Sequence, residues 1–331
     1  MTNFDRKSHD LKNTLINILK IVLPLGIGVY LTWFFISRLS VVELENLKIA
    51  FYEAKYIYIL LAIVMMLLSH MSRAYRWKYM LEPLGHKPNF WKMYHSIMIG
   101  YVINLTIPRS GEVARAGYYA KYEEGAASEK VFGTIIVERI IDVVMLGIVF
   151  GITVILQKDI EAFNSIKDSA GGGLPAWAYY IVGGIFLVGA AVFFISKKIK
   201  EKVLELLTGI LEGVKTILQL KQRVSYIGHT LFIWGCYVGM IWVCSFALPE
   251  TVGLEIGAVF AAFVVGAAAI TATPGGIGLY PLLVAAVLTD LYGIENAGSF
   301  SMLAWSSLTL FTIVFGLLSL VILPILNKKQ V

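Results

Sequence analysis

The chain has 331 residues, of which 58% are hydrophobic and 15% charged, with a net charge of +6 and a mean hydropathy of +0.75. A soluble domain carries charge on roughly a quarter of its residues, so a soluble globular protein is excluded and an all-α, polytopic integral membrane protein is predicted. The surplus Lys and Arg lie between the apolar runs, which excludes nucleic acid as a partner and makes the charge a signal of membrane orientation.

Residues 1–14 are polar and carry Arg6, Lys7 and Lys12. Residues 15–37 are long enough to span; they are too long for a signal-peptide core and lack a small-residue cleavage site, so they are expected to stay as an anchor. Residues 38–56 read as a mixed-charge loop. Residues 57–72 are apolar and run into Arg73, Arg76, Trp77 and Lys78, an interfacial anchor of basic and aromatic side chains. Residues 93–107 would be about 22 Å long as a helix, short of the roughly 30 Å hydrocarbon core, and end at Pro108, which predicts a re-entrant segment.

Residues 131–156 are a full span, 157–175 a polar loop with a Gly171-Gly172-Gly173 run, and 176–196 a further span. In 197–223, Ile199, Val203, Leu206, Ile210, Val214 and Ile217 recur at three- and four-residue steps, with Lys198, Lys202, Glu205, Glu212 and Lys215 between them. That pattern predicts an amphipathic helix on the membrane surface. Residues 224–247 and 255–273 are apolar spans, broken by Thr273-Pro274-Gly275-Gly276-Ile277-Gly278; 279–292 is minimal as a span, and 297–324 is a long one followed by Lys328 and Lys329. Cys236 and Cys244, eight residues apart on one helix, are separated by about 12 Å along its axis and cannot bridge each other.

With the N-terminus in the cytoplasm and 93–107 entering and leaving on one side, 21 of the 28 Lys and Arg fall in cytoplasmic segments and five in outer loops. The bias predicts a multi-pass cell-membrane protein with about eight transmembrane helices, both termini cytoplasmic, plus one re-entrant segment and the surface helix. The whole of 1–331 reads as a single membrane domain: a first half, 1–196, holding the re-entrant motif, the 197–223 helix, and a second half, 224–331, holding the Pro-Gly-Gly break.

Charge within apolar segments marks the candidate site, since a central Arg or Asp costs roughly 2.5–3.5 kcal/mol on insertion scales. The re-entrant run carries Asn104 and turns at Pro108, Arg109, Gly111 and Glu112, with Arg115 one helical turn on. Asn104-Leu105-Thr106 matches a glycosylation sequon but lies inside the apolar run. Glu112 and Arg115 can pair if a helix starts here, and Arg109 has the fork geometry to hold a phosphate. Glu138 and Asp142 share a helical face with Arg139 about 100° away; one arginine cannot neutralise both, so either a second cation, Arg115 or Arg109, is expected beside them or one carboxylate is protonated. The group reads either as a polar path for a charged headgroup or as a network that holds helices together. Pro274, Gly275, Gly276 and Gly278 form a second interruption, and paired interruptions in two halves of a chain point to a transporter binding site. The bland reading is a turn between helices. Neither a metal-ligand spacing nor a nucleophile elbow is visible, and no cofactor is implied.

Asn104, Pro108-Arg109-x-Gly111-Glu112-x-x-Arg115, then Glu138-Arg139-x-x-Asp142, then Pro274-Gly275-Gly276-x-Gly278, taken in order, resemble the lysylphosphatidylglycerol synthase transmembrane-region family of flippase-like membrane domains. The resemblance covers nearly the whole chain. It implies movement of a lipid across the bilayer; the best-understood members fuse this domain to a cytosolic aminoacyltransferase, and others stand alone or join glycosyltransferases. This sequence has no transferase region, and Leu279-Tyr280-Pro281 follows the glycine turn where many relatives carry Glu, so the lipid identity is not carried over.

Three readings follow. The first is a lipid translocator without its own synthase, with Arg109, Arg115 and Arg139 meeting a lipid phosphate and Glu112, Glu138 and Asp142 orienting them or meeting a cationic headgroup. The second is a non-enzymatic accessory or assembly protein for a separate lipid- or glycan-modifying enzyme. The third, disfavoured by the missing nucleophile, is a membrane enzyme acting on a lipid substrate through the paired carboxylates. Membrane lipids are the partners implied, with a second copy of the chain left open.

Overall fold

A computed structural model describes residues 30, 32–34, 36–37, 40–85, 87–107, 110–157, 208–209 and 211–327. The polar N-terminal tail, most of the first apolar run, the glycine-rich loop, the span at 176–196, the start of the surface helix and Lys328 and Lys329 lie outside them. The described elements include nine α-helices: α1 (Val41–Glu53), α2 (Tyr56–Leu81), α3 (Phe90–Asn104), α4 (Gly111–Tyr122), α5 (Ser128–Leu156), α6 (Arg223–Ser245), α7 (Ile256–Ala272), α8 (Leu279–Tyr292) and α9 (Ala297–Leu326). Among the described residues, four helices are long and apolar enough to cross a membrane, at Tyr56–Leu84, Ser128–Leu156, Arg223–Ser245 and Ala297–Leu326. The chain is an all-α, multi-pass membrane protein.

The mixed-charge segment expected as a loop holds α1. Ser40 starts it with a capping box: its hydroxyl accepts from Glu43 N at 3.2 Å, and Glu43 Oε2 accepts from Ser40 N at 2.7 Å. Those bonds hold the Glu43 carboxyl below the usual carboxylate range. Ser40→Ala is therefore expected to weaken α1 by about 0.5–2 kcal/mol, read as faster amide exchange in α1. The box contributes fully above the ordinary carboxylate pKa, and its contribution fades as pH falls through the depressed value of the folded state.

α3 and α4 form an antiparallel hairpin. Asn89 caps α3 by accepting from Trp91 N and Lys92 N. Lys92 near the start of α3 pairs with Glu123 just past the end of α4 at 3.0 Å, while Gly100 and Asn104 meet Gly111 at the other end. The chain thus reverses after the short apolar run, and α4, in the stretch read as wholly cytoplasmic, 109–130, lies back along it. A second hairpin, α7 and α8, folds over the Pro-Gly-Gly turn, with Tyr280 laid against Gly266. Helices of 17 and 14 residues are about 26 and 21 Å long, again short of the roughly 30 Å core. As two spans or as a re-entrant pair, this hairpin leaves the orientation of α9 unchanged.

α9 supports both hairpins. Its Trp305 Nε1 donates to the Gly275 carbonyl at 2.8 Å, and its Ser301 Oγ donates to the Pro281 carbonyl at 3.0 Å. Two turns and more further on, Gly316 lets α3 approach, since an added Cβ there would lie 2.6 Å from Val102 Cβ, and Ser319 Oγ sits 2.9 Å from His95 Nδ1.

The chain divides into two compact units, residues 1–135 with 224–331, and residues 136–223. The hairpins and α9 belong to the first. In the second, the described remainder of α5 meets the helical residues 211–218 at Gly213, where a Cβ would come within 2.7 Å of Ile140. Ile217 is buried and Leu211 and Leu218 are exposed.

Candidate functional site

The two interruptions meet. Beyond α3 the chain passes through Leu105, whose methyl lies against the α-carbon of Gly275 closely enough that a Cβ there would overlap it. Both tips are built for close approach. Gly275, Gly276 and Gly278 have φ of 59°, 77° and 71°, values that only glycine adopts without strain. Pro274 and Gly276 are buried, and Trp305 fastens the turn through the Gly275 carbonyl. On the opposing tip, Asn104 Oδ1 accepts from Gly111 N at 2.7 Å and so satisfies a backbone donor at the start of α4. A Cβ on Gly111 would overlap the Gly100 carbonyl oxygen. Asn104 and the glycines therefore shape the tips. Pro108 and Arg109 lie outside the described residues.

The profile of the family described as the lysylphosphatidylglycerol synthase TM region matches residues 21–316, a range that contains both tips and α9 as far as Gly316. The chain belongs to that family. It is 26% identical over 270 residues to the UPF0104 membrane protein of Pyrococcus horikoshii, covering 72% of this chain and 78% of that one. Over a shorter stretch of 88 residues it is 33% identical to the UPF0104 membrane protein of Methanocaldococcus jannaschii, 26% of each chain. No solved structure matches.

In this family member the charged groups of the first motif separate into two settings. Arg115 is buried, with its guanidinium 3.8 Å over the indole of Trp77, a cation–π stack. Trp77 is itself fixed by an Nε1–H bond to Thr134 Oγ1 at 2.9 Å. Glu112 and Arg115 do not pair: Glu112 Oε2 is buried and has no hydrogen-bond partner among the described residues. Glu138, Arg139 and Asp142 lie in the second unit. Glu138 is fully buried, and Arg139 reaches Glu138 Oε1 at 3.4 Å and Asp142 Oδ2 at 3.3 Å. One arginine touches both carboxylates, although its Cα lies round the helix from theirs. Its long side chain swings back.

Sequence reading missed the polar face of α2. Arg73 and Arg76, taken as an interfacial anchor, are 3% and 0% exposed, and Ser69, His70 and Ser72 are buried with them. Their partners come from α6: Arg73 Nη2 donates to Tyr237 OH at 3.0 Å, Arg76 Nη1 donates to Thr230 Oγ1 at 3.2 Å, and Ser72 Oγ lies 2.8 Å from His229 Nδ1. The Arg76 guanidinium also lies over the Tyr226 ring. The available signal was Ser69 and Ser72, small polar residues on the arginine side of an otherwise apolar helix.

Proposed function

We propose that the chain moves a lipid headgroup across the bilayer along the seam between its two hairpin tips. What carries the reading is the contact of Leu105 with Gly275: two interrupted elements, from the two halves of the chain, end against each other. Non-helical backbone at membrane depth is tolerated only where protein buries it or a wet cavity receives it, and transporters place their sites at such junctions. Arg115, buried with its guanidinium over Trp77, is one candidate cation for a phosphate. Arg109, next to the α3–α4 tip in sequence, is the second candidate. The location proposed is the cell membrane with both termini cytoplasmic, supported by the charge bias between loops.

The test is reconstitution of the full chain in liposomes, following labelled anionic and zwitterionic lipids between leaflets. Acceleration of at least one lipid is expected, falling severalfold in Asn104→Ala, which leaves the Gly111 amide unsatisfied. No acceleration for any lipid would overturn the reading. A second reading, a structural or accessory role for a lipid- or glycan-modifying enzyme, draws on one observation: Arg139 bonds both Glu138 and Asp142, as a packing network would. Neutral apolar replacement of Arg139 and Asp142 together with lipid movement retained would support that role for the trio.

A further inference from the structure

The apolar stripe read through 197–223 is in part taken up by protein. Gly213 comes so close to α5 that a Cβ there would lie 2.7 Å from Ile140, and Ile217, one turn on and on the same side, is buried. On the far side Leu211 and Leu218 are 71% and 52% exposed. At about 100° per residue, Leu211, Leu218 and the half-buried Val214 fall within an arc of about 60°. Lys215 lies about 40° beyond Leu211, and Glu212 and Thr216, both exposed, lie at about 100° and 140°. The helix therefore has three sides, one against α5, one apolar and one polar, with a lysine where the last two meet. That is the cross-section of a helix lying in the edge of a bilayer beside a span. Lys221 stands in the turn that follows and Arg223 at the start of α6, where its Nη1 donates to the Leu218 carbonyl at 3.2 Å. Residues 211–223 carry these three cations against Glu212 alone.

The depth agrees. Helix α5 has 29 residues and is about 43 Å long, more than the roughly 30 Å hydrocarbon core. After Asp142 it carries no charge as far as Leu156. With Leu156 level with one edge of the core, Ile140 lies about 24 Å back and so about 6 Å inside the other edge. A helix resting on Ile140 has its apolar side at the boundary of headgroups and acyl chains, where interfacial helices sit about 5–10 Å deep. At this level of α5, Arg139 is engaged by Glu138 and Asp142, so the cations left for a lipid are those of 211–223.

We infer that residues 211–223 form a docking surface for acidic lipid headgroups at the bilayer edge nearer the start of α5. Leu211, Val214 and Leu218 enter the acyl chains, and Lys215, Lys221 and Arg223 lie among the phosphates.

Full-length protein carrying Leu218→Cys would be labelled with a fluorescent maleimide and placed in dioleoylphosphatidylcholine vesicles containing equal fractions of either brominated phosphatidylcholine or brominated phosphatidylglycerol. Cys236 and Cys244 are buried, and the unchanged chain measures any labelling of them. Both lipids are expected to quench the probe, phosphatidylglycerol severalfold more, whereas a probe at Thr216→Cys is quenched chiefly by iodide from the water. Lys215→Gln is expected to lower the preference for phosphatidylglycerol by up to about fivefold, the worth of one lysine at an acidic surface, and Lys221→Gln to lower it again. Lys48→Gln, at an exposed ion pair on α1, serves as the unchanged control. Quenching of the Leu218→Cys probe by iodide and by neither lipid, quenching by none of the three, or equal quenching by the two lipids would overturn the surface. None of these readouts needs lipid movement, so the surface and the translocation reading fail separately.

Discussion

Gly275→Ala is expected to destabilise the protein by about 2–5 kcal/mol. A left-handed backbone costs an L-residue about 1–2 kcal/mol, and position 275 holds φ of 59°. The new methyl also occupies the place of the Leu105 side chain, and overpacking of this kind adds about 1–3 kcal/mol. The two contributions can be separated. Leu105→Ala clears the overlap but not the backbone strain, so the double variant should be less destabilised than the two single changes added together. Unfolding of the four proteins in one detergent closes the cycle. A coupling of about 1 kcal/mol or more is expected, and additivity within about 0.5 kcal/mol would mean that the tips do not touch.

Gly111→Ala is expected to be nearly as severe, for a different reason. Its Cβ would meet a backbone carbonyl, that of Gly100, which cannot rotate aside as a side chain can. Helix α4 must lift from α3, and the 2.7 Å bond from Gly111 N to Asn104 is lost with it. Overpacking and one buried hydrogen bond together come to about 2–4 kcal/mol. Gly117, on the same helix, faces open space, and alanine there should stabilise by up to about 1 kcal/mol through helix propensity alone. Equal thermal shifts for the two variants would show that the hairpin is not closed by its glycines.

These effects arise where the sequence is legible. Pro108 and Pro274 mark chain reversals because proline cannot continue a helix, and the run before Pro108 is too short to cross. Both inferences need only local chemistry, and both hairpins exist. What local chemistry cannot show is that Leu105 and Gly275, 170 positions apart in sequence, come to rest against each other. Other features were written in the chain but outweighed. Ser40 and Glu43 have the spacing of a capping box, yet the mixed charges around them masked the helix. Helix α4 has the mixed polarity of a loop because one face is turned to α3 and the other is not. Arg73 and Arg76 follow an apolar run just as an interfacial anchor does. Whether such a side chain reaches out to headgroups or in toward Thr230 and Tyr237 is decided by α6, which enters the sequence 150 positions later.

The support of both hairpins by α9 bears on how the protein is made. The bond between His95 and Ser319 closes a loop of 224 residues, so the first hairpin is synthesised long before the surface it will lean on. A nascent chain that has grown as far as position 296 presents two glycine-notched turns with no backing.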